Sequence, residues 1–129
     1  MGSGTRLILR KHMNESEFEA VIAETLAALP EWVREAMHNV SVLVEEVANE
    51  DLDPEGEGLL GLYTGVPLTE RESDNAGELP DVIYVFRKPH LELGLASVAL
   101  REEIAKTLIH EIAHYFGIDD DHLDDIGWG

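Results

Sequence analysis

The sequence predicts an α+β domain, a small mixed β-sheet packed against one long C-terminal helix and against helices at the N-terminus. Three observations lead there. Apolar residues recur at helical spacing near the start and again over residues 97–116. Between them lie short β-branched runs separated by Gly, Pro and acidic residues. The resulting order αα-β-β-β-α contains no internal repeat, and 129 residues suffice for one core without staples.

Each element has its own signal. Over residues 16–29, Phe18, Val21, Ile22, Leu26 and Leu29 mark one helical face, with Ser16 and Glu19 as the expected capping box. Pro30 ends that helix or opens the next, and residues 31–37 read as a second short helix with Trp32 and Met37 turned inward. Residues 40–44 (Val-Ser-Val-Leu-Val) read as a strand. Residues 45–58 are rich in Glu and Asp with Pro54, Gly56 and Gly58. They form a solvated loop, because their acids lack the fixed spacing of a calcium loop. Residues 59–64 give a second strand, weakened by Gly61 and Gly65, and residues 66–80 are irregular. Residues 81–86 (Asp-Val-Ile-Tyr-Val-Phe) carry the strongest strand signal, ended by Pro89. Ser97 is the expected cap of the long helix to Phe116, and a short acidic turn or helix follows through Ile126.

The formal net charge is −18, from 27 acidic and 9 basic residues. Such a surface repels phosphate backbones and argues against nucleic-acid binding, whereas a cationic peptide or protein segment is attracted. For most of these acids solubility is the plainer reading. No cysteine is present, which excludes disulfides and thiolate metal sites and accords with a cytoplasmic location. No apolar run approaches a membrane span, and no secretory signal is apparent. Residues 1–12 hold three of the nine basic residues and no acid. They read as a leader, with a single domain over residues 13–129.

Residues 110–120 spell His-Glu-Ile-Ala-His-Tyr-Phe-Gly-Ile-Asp-Asp, an HExxHxxGxxD string closing the long helix. His110 and His114 stack one turn apart on a helix and can bind one ion, as in mononuclear zinc hydrolases. Glu111 projects beside them, where it can take a proton from an attacking water. Gly117 permits the left-handed residue that ends a helix, so that a later residue, Asp120, can return to the metal. Around the helix, Ile104, Ala105, Leu108, Ile109, Ile112, Ala113 and Phe116 fill one half of the circumference. His110 and His114 fall outside it, roughly 40° apart, with Thr107 and Glu111 alongside. Ordinary surface histidines would explain one of the pair, but not two at this spacing with Glu, Gly and Asp in place.

On these residues the chain resembles the small bacterial zincin-like metallopeptidases, the neutral zinc metallopeptidases grouped with the Asp-zincins. The likeness runs from Met13 to Trp128 and is densest in three stretches. These are residues 61–71 (Gly-Leu-Tyr-Thr-Gly-Val-Pro-Leu-Thr-Glu-Arg), residues 79–84 (Leu-Pro-Asp-Val-Ile-Tyr) and residues 110–128. The resemblance implies a compact minimal zincin-like fold, with the motif helix under a sheet whose edge strand borders a cleft. It implies Zn2+ held by His110, His114 and Asp120, with Glu111 as general base. The ten-residue offset from His110 favours Asp120 as third ligand. His122 is the runner-up, and Asp119 or Asp121 could orient a ligand histidine instead. In contrast to metzincin-type proteases, no methionine follows the motif, and the chain is short for a second subdomain.

Two readings follow from different classes. The first is a zinc metallopeptidase, a hydrolase acting on peptide or protein substrates. Tyr63, Tyr84 and His90 are its candidate transition-state donors. If the strand over residues 82–86 is the sheet edge, a peptide adds to it through main-chain hydrogen bonds. The second is a non-catalytic zinc-binding regulatory or protein-interaction module on the same scaffold. A weaker third is a relic that binds no metal.

Overall fold

The computed structural model describes residues 13–70 and 81–118. Its elements are α1 (Glu15–Ala27), α2 (Glu31–Ala36), β1 (Val40–Glu45), β2 (Gly61–Thr64), a 3-10 turn (Leu68–Glu70), β3 (Asp81–Phe86), α3 (Arg87–Leu91) and α4 (Ser97–Tyr115). The arrangement is α+β, as the sequence predicts.

The sheet has the order β1-β3-β2. β3 runs parallel to β1, from Val40 opposite Asp81 to Glu45 opposite Phe86, and antiparallel to β2, with Gly61 opposite Val85 and Thr64 opposite Val82. Residues facing each other across a ladder share a side of the sheet, and alternate residues take the other side. Val42, Val44, Ile83, Val85, Gly61 and Tyr63 therefore share one side. On that side Ile83 and Val85 meet Phe18, Val21 and Ile22 of α1 and Leu100, Ile104, Leu108 and Ile112 of α4 in the core. β3 is thus the central strand. The expectation that residues 82–86 form the sheet edge is corrected: the edges are β1 and β2. An apolar run with alternate residues fully buried is what a doubly paired strand requires.

Several local expectations also shift. The capping box of α1 is formed by Asn14 and Glu17, not Ser16 and Glu19. Asn14 Oδ1 accepts the Glu17 N–H at 2.8 Å and Glu17 Oε1 accepts the Asn14 N–H at 2.9 Å. In α2, Val33 enters the core with Met37, while Trp32 stays 66% exposed against the edge of Phe116. A helix of six residues has a narrow inner face, and α2 turns Val33 rather than its neighbour toward it. The α3 turn has no counterpart among the sequence expectations. Pro89 lies in its first turn, where a missing N–H leaves no helical bond unmade. Ser97 is the first residue of α4, and Ala96 occupies the cap without a side-chain bond.

One clamp ties the start of α1 to the ends of two strands. Arg87 grips Glu46 with Nε to Oε2 at 2.7 Å and Nη2 to Oε1 at 2.9 Å, while Nη1 donates to the Met13 carbonyl at 2.6 Å. The Arg87 hydrogen bond holds the Glu46 carboxyl below its ordinary pKa. The acidic loop is exposed and self-ordered. Asp53 accepts the N–H groups of Glu57 and Gly58 at 2.9 Å each, the former bond doing most to lower its pKa. Among the described residues no helix is long and apolar enough to cross a membrane.

Candidate metal centre

The motif sits on the last turns of α4, and its helix stops where the sequence says it should. Gly117 takes φ +86°, its N–H bonds to the His114 carbonyl at 2.9 Å, and the Ile118 N–H bonds to the Ala113 carbonyl at 2.9 Å. This pair of bonds is a Schellman stop with glycine in the left-handed position. A β-carbon on Gly117 would also collide with the Thr69 side chain in the 3-10 turn. Glycine is thus required both by the backbone and by the neighbouring segment. Asp119, Asp120, Asp121 and His122 lie outside the described residues, as does the acidic turn through Ile126.

His110 and His114 are both half-buried and stand side by side, off the buried stripe of α4. Their ring centroids are 4.8 Å apart with the planes at 83°. Two imidazoles on one tetrahedral zinc, with Zn–N near 2.0–2.1 Å, place their centroids about 5 Å apart. The spacing and the donor chemistry therefore fit that ion. Glu111 is only 8% exposed, and its Oε1 lies 3.2 Å from His114 Nδ1. Among the described residues no three His, Cys, Asp or Glu side chains gather around one point.

An open groove of about 260 Å³ runs beside the motif, lined by Leu60, Gly61, Glu103, Lys106, Thr107, His110 and Glu111. Its other wall is Leu60 and Gly61, at the start of β2, the antiparallel edge strand. The strand lies very close to α4 at Gly61. A β-carbon there would stand 2.6 Å from Thr107 Cγ2 and 3.3 Å from Glu111 Cγ. The glycine that weakens the strand signal is what lets the strand reach the helix.

The three candidate donors separate clearly. His90 is fully buried, with Nδ1 2.7 Å from the Phe86 carbonyl and Nε2 2.8 Å from Thr107 Oγ1. Burial pushes its pKa down, against the opposing pull of the Phe86 carbonyl and the Glu103 charge. It cannot reach a substrate. Tyr84 faces the opposite side of the sheet, stacked on Phe86 at 5.9 Å. Tyr63 alone shares the side of α4, its ring edge-on to Tyr115 at 5.9 Å.

One of the family-like stretches thus lies against the motif helix: Gly61 leaves no room for a β-carbon beside Thr107 and Glu111, and Thr69 leaves none at Gly117. The family model for zincin-like metallopeptidases matches residues 37–128, from the start of the sheet to beyond the motif. The chain belongs to that family. Among solved structures, a conserved hypothetical protein from Thermus thermophilus is similar at 22% identity. Its TM-score is 0.53, with 88% of this chain and 96% of that chain covered, a likeness of fold. None of the curated proteins matches.

Two residues near the zincin-like motif carry no functional signal in the sequence. Thr107 appears there only as a polar neighbour of the histidines on the helical projection, and Gly61 only as a flaw in a strand and the first residue of a family-like stretch. Their contact is non-local, and one sequence carries no signal for it.

Proposed function

We propose that the chain is a zinc-dependent metallopeptidase in which His110, His114 and Asp120 hold the ion and Glu111 is the general base. The observation that carries this reading is the His110–His114 pair. Its rings are spaced and crossed as two ligands of one ion, with a nearly buried carboxylate between them on the sequence and beside them in space. Family membership supports it.

Zinc bound there would polarise the scissile carbonyl and make water a nucleophile near neutral pH. Glu111 accepts the proton of the attacking water and returns it to the departing amine, as the C–O bond forms and the C–N bond breaks. β2 is an edge strand beginning at the groove, so an extended peptide can add to the sheet beside Glu111. This assigns to β2 the role that the sequence suggested for β3. The net charge of −18 favours cationic segments in the encounter.

Metal analysis of protein purified without added zinc or chelator comes first, with one zinc per chain expected. Glu111→Gln should then keep that zinc and lose at least about 100-fold in kcat on a peptide library. Undiminished turnover would remove Glu111 from its role. Zinc without any cleavage in the parent chain would instead support the non-catalytic module.

A further inference from the structure

Thr107 lies one turn before Glu111 on α4 and is buried. Its methyl carbon is the atom nearest to where a β-carbon on Gly61 of β2 would stand, at 2.6 Å, followed by the Tyr84 carbonyl at 3.1 Å and Glu111 Cγ at 3.3 Å. Its hydroxyl points the other way, 2.8 Å from His90 Nε2 and 3.0 Å from the Glu103 carbonyl. A threonine in a helix has two χ1 wells available, because its hydroxyl can bond back to the preceding turn. Here both polar partners hold Oγ1 in the same well.

The chemistry of His90 makes that choice firm. The Phe86 carbonyl can only accept, so His90 Nδ1 carries the proton. In a neutral ring Nε2 is then an acceptor, so it and the Glu103 carbonyl share the single Thr107 hydroxyl proton. Reversing the threonine would place a methyl against that buried acceptor and a hydroxyl against the Gly61 backbone. The buried imidazole therefore fixes which face of Thr107 meets β2.

We propose that Thr107, locked by His90, is a positioning residue for Glu111. The pair sets the separation between the edge strand and the motif helix, and Glu111 takes its place from that separation. This rests on the reading of Glu111 as the general base. Neither Thr107 nor His90 needs to touch substrate.

The test is a double-variant cycle on the full, zinc-loaded chain. Gly61→Ala inserts a β-carbon against the Thr107 methyl, and Thr107→Ser removes that methyl while keeping the hydroxyl for His90. Gly61→Ala alone should lower kcat on a cleaved peptide by about 10- to 100-fold, the scale of a misplaced catalytic group, with KM within about twofold. Zinc content should not change. Adding Thr107→Ser should recover a large part of the loss, because the new β-carbon fills the vacated space and only its 3.1 Å approach to the Tyr84 carbonyl is left. Losses that simply multiply in the double variant would overturn the proposal.

If the parent chain cleaves nothing, the peptidase reading fails separately, and the same cycle is read from the Glu111 side-chain carboxyl resonance in 13C-labelled protein. Gly61→Ala should shift that resonance and the double variant should return it. A resonance unmoved by Gly61→Ala would overturn the positioning role.

Discussion

His90 and the pair His110 and His114 bring the same imidazole into opposite surroundings. His90 has no exposed surface, and each ring nitrogen meets a protein partner within 2.8 Å. The His114 side chain keeps 34% of its surface open, and its ring stands 4.8 Å from that of His110. A histidine with both nitrogens bound inside the protein has nothing left for chemistry and serves the packing. Two half-open rings side by side are the proposed ligand pair. The difference teaches that accessibility and partners, rather than residue type, separate a structural histidine from a functional one.

The contrast can be broken by exchanging the two losses. His110→Ala should weaken zinc binding by more than the 10- to 100-fold typical of an outer-shell partner, with the apparent Tm of metal-free protein nearly unchanged. His90→Ala should do the reverse. It leaves a cavity beside Phe18 and strips partners from the Phe86 carbonyl and Thr107, at a cost of about 2–4 kcal/mol in urea unfolding. A destabilised His110→Ala, or a His90→Ala as stable as the parent, would erase the distinction.

Titration sharpens it. Burial holds His90 below the ordinary value near 6.5. Between that value and the folded pKa, the unfolded chain takes up a proton that the folded chain refuses. Stability from this group is complete above about pH 6.5 and falls as the pH drops toward the folded pKa. The urea midpoint of the parent should therefore decline more steeply with acidification than that of His90→Ala. Parallel curves would mean that His90 is not the group responsible.

A smaller effect tests the frame around the ligand pair. Gly117→Ala forces a left-handed alanine, at about 1–2 kcal/mol, and pushes on Thr69 as well. Thermal unfolding should report that loss. Zinc affinity should fall too, because the Schellman stop directs the chain that carries Asp120.

Much of the fold was legible along the chain. Residues 81–86 announced a strand, residues 45–58 a loop, and residues 104–116 an amphipathic helix whose histidines fall off its apolar half. These signals are local, since they depend on periodicity within one element. Gly117 was legible for the same reason, because a helix stop is a local event. What remained hidden was non-local or too short. Five residues of α3 are too few for periodicity, and Pro89 masked them. Trp32 and Val33 compete for one inward position that only the neighbouring helices decide. Which strand is central depends on pairing between segments some twenty to forty residues apart, and an apolar β3 suits either place.

The sequence by itself determined the α+β class, the acidic surface, the absence of thiol chemistry and the candidate donors His110, Glu111 and His114. All of these follow from composition or from the geometry of a single helix. Tertiary structure alone decided that β2 rather than β3 borders the groove and that His90 is sealed away from it. It also decided that Gly61 and Thr107 bring the edge strand against Glu111. Those outcomes depend on how separate elements pack, and hard-core contacts between distant residues leave no periodic trace in one chain.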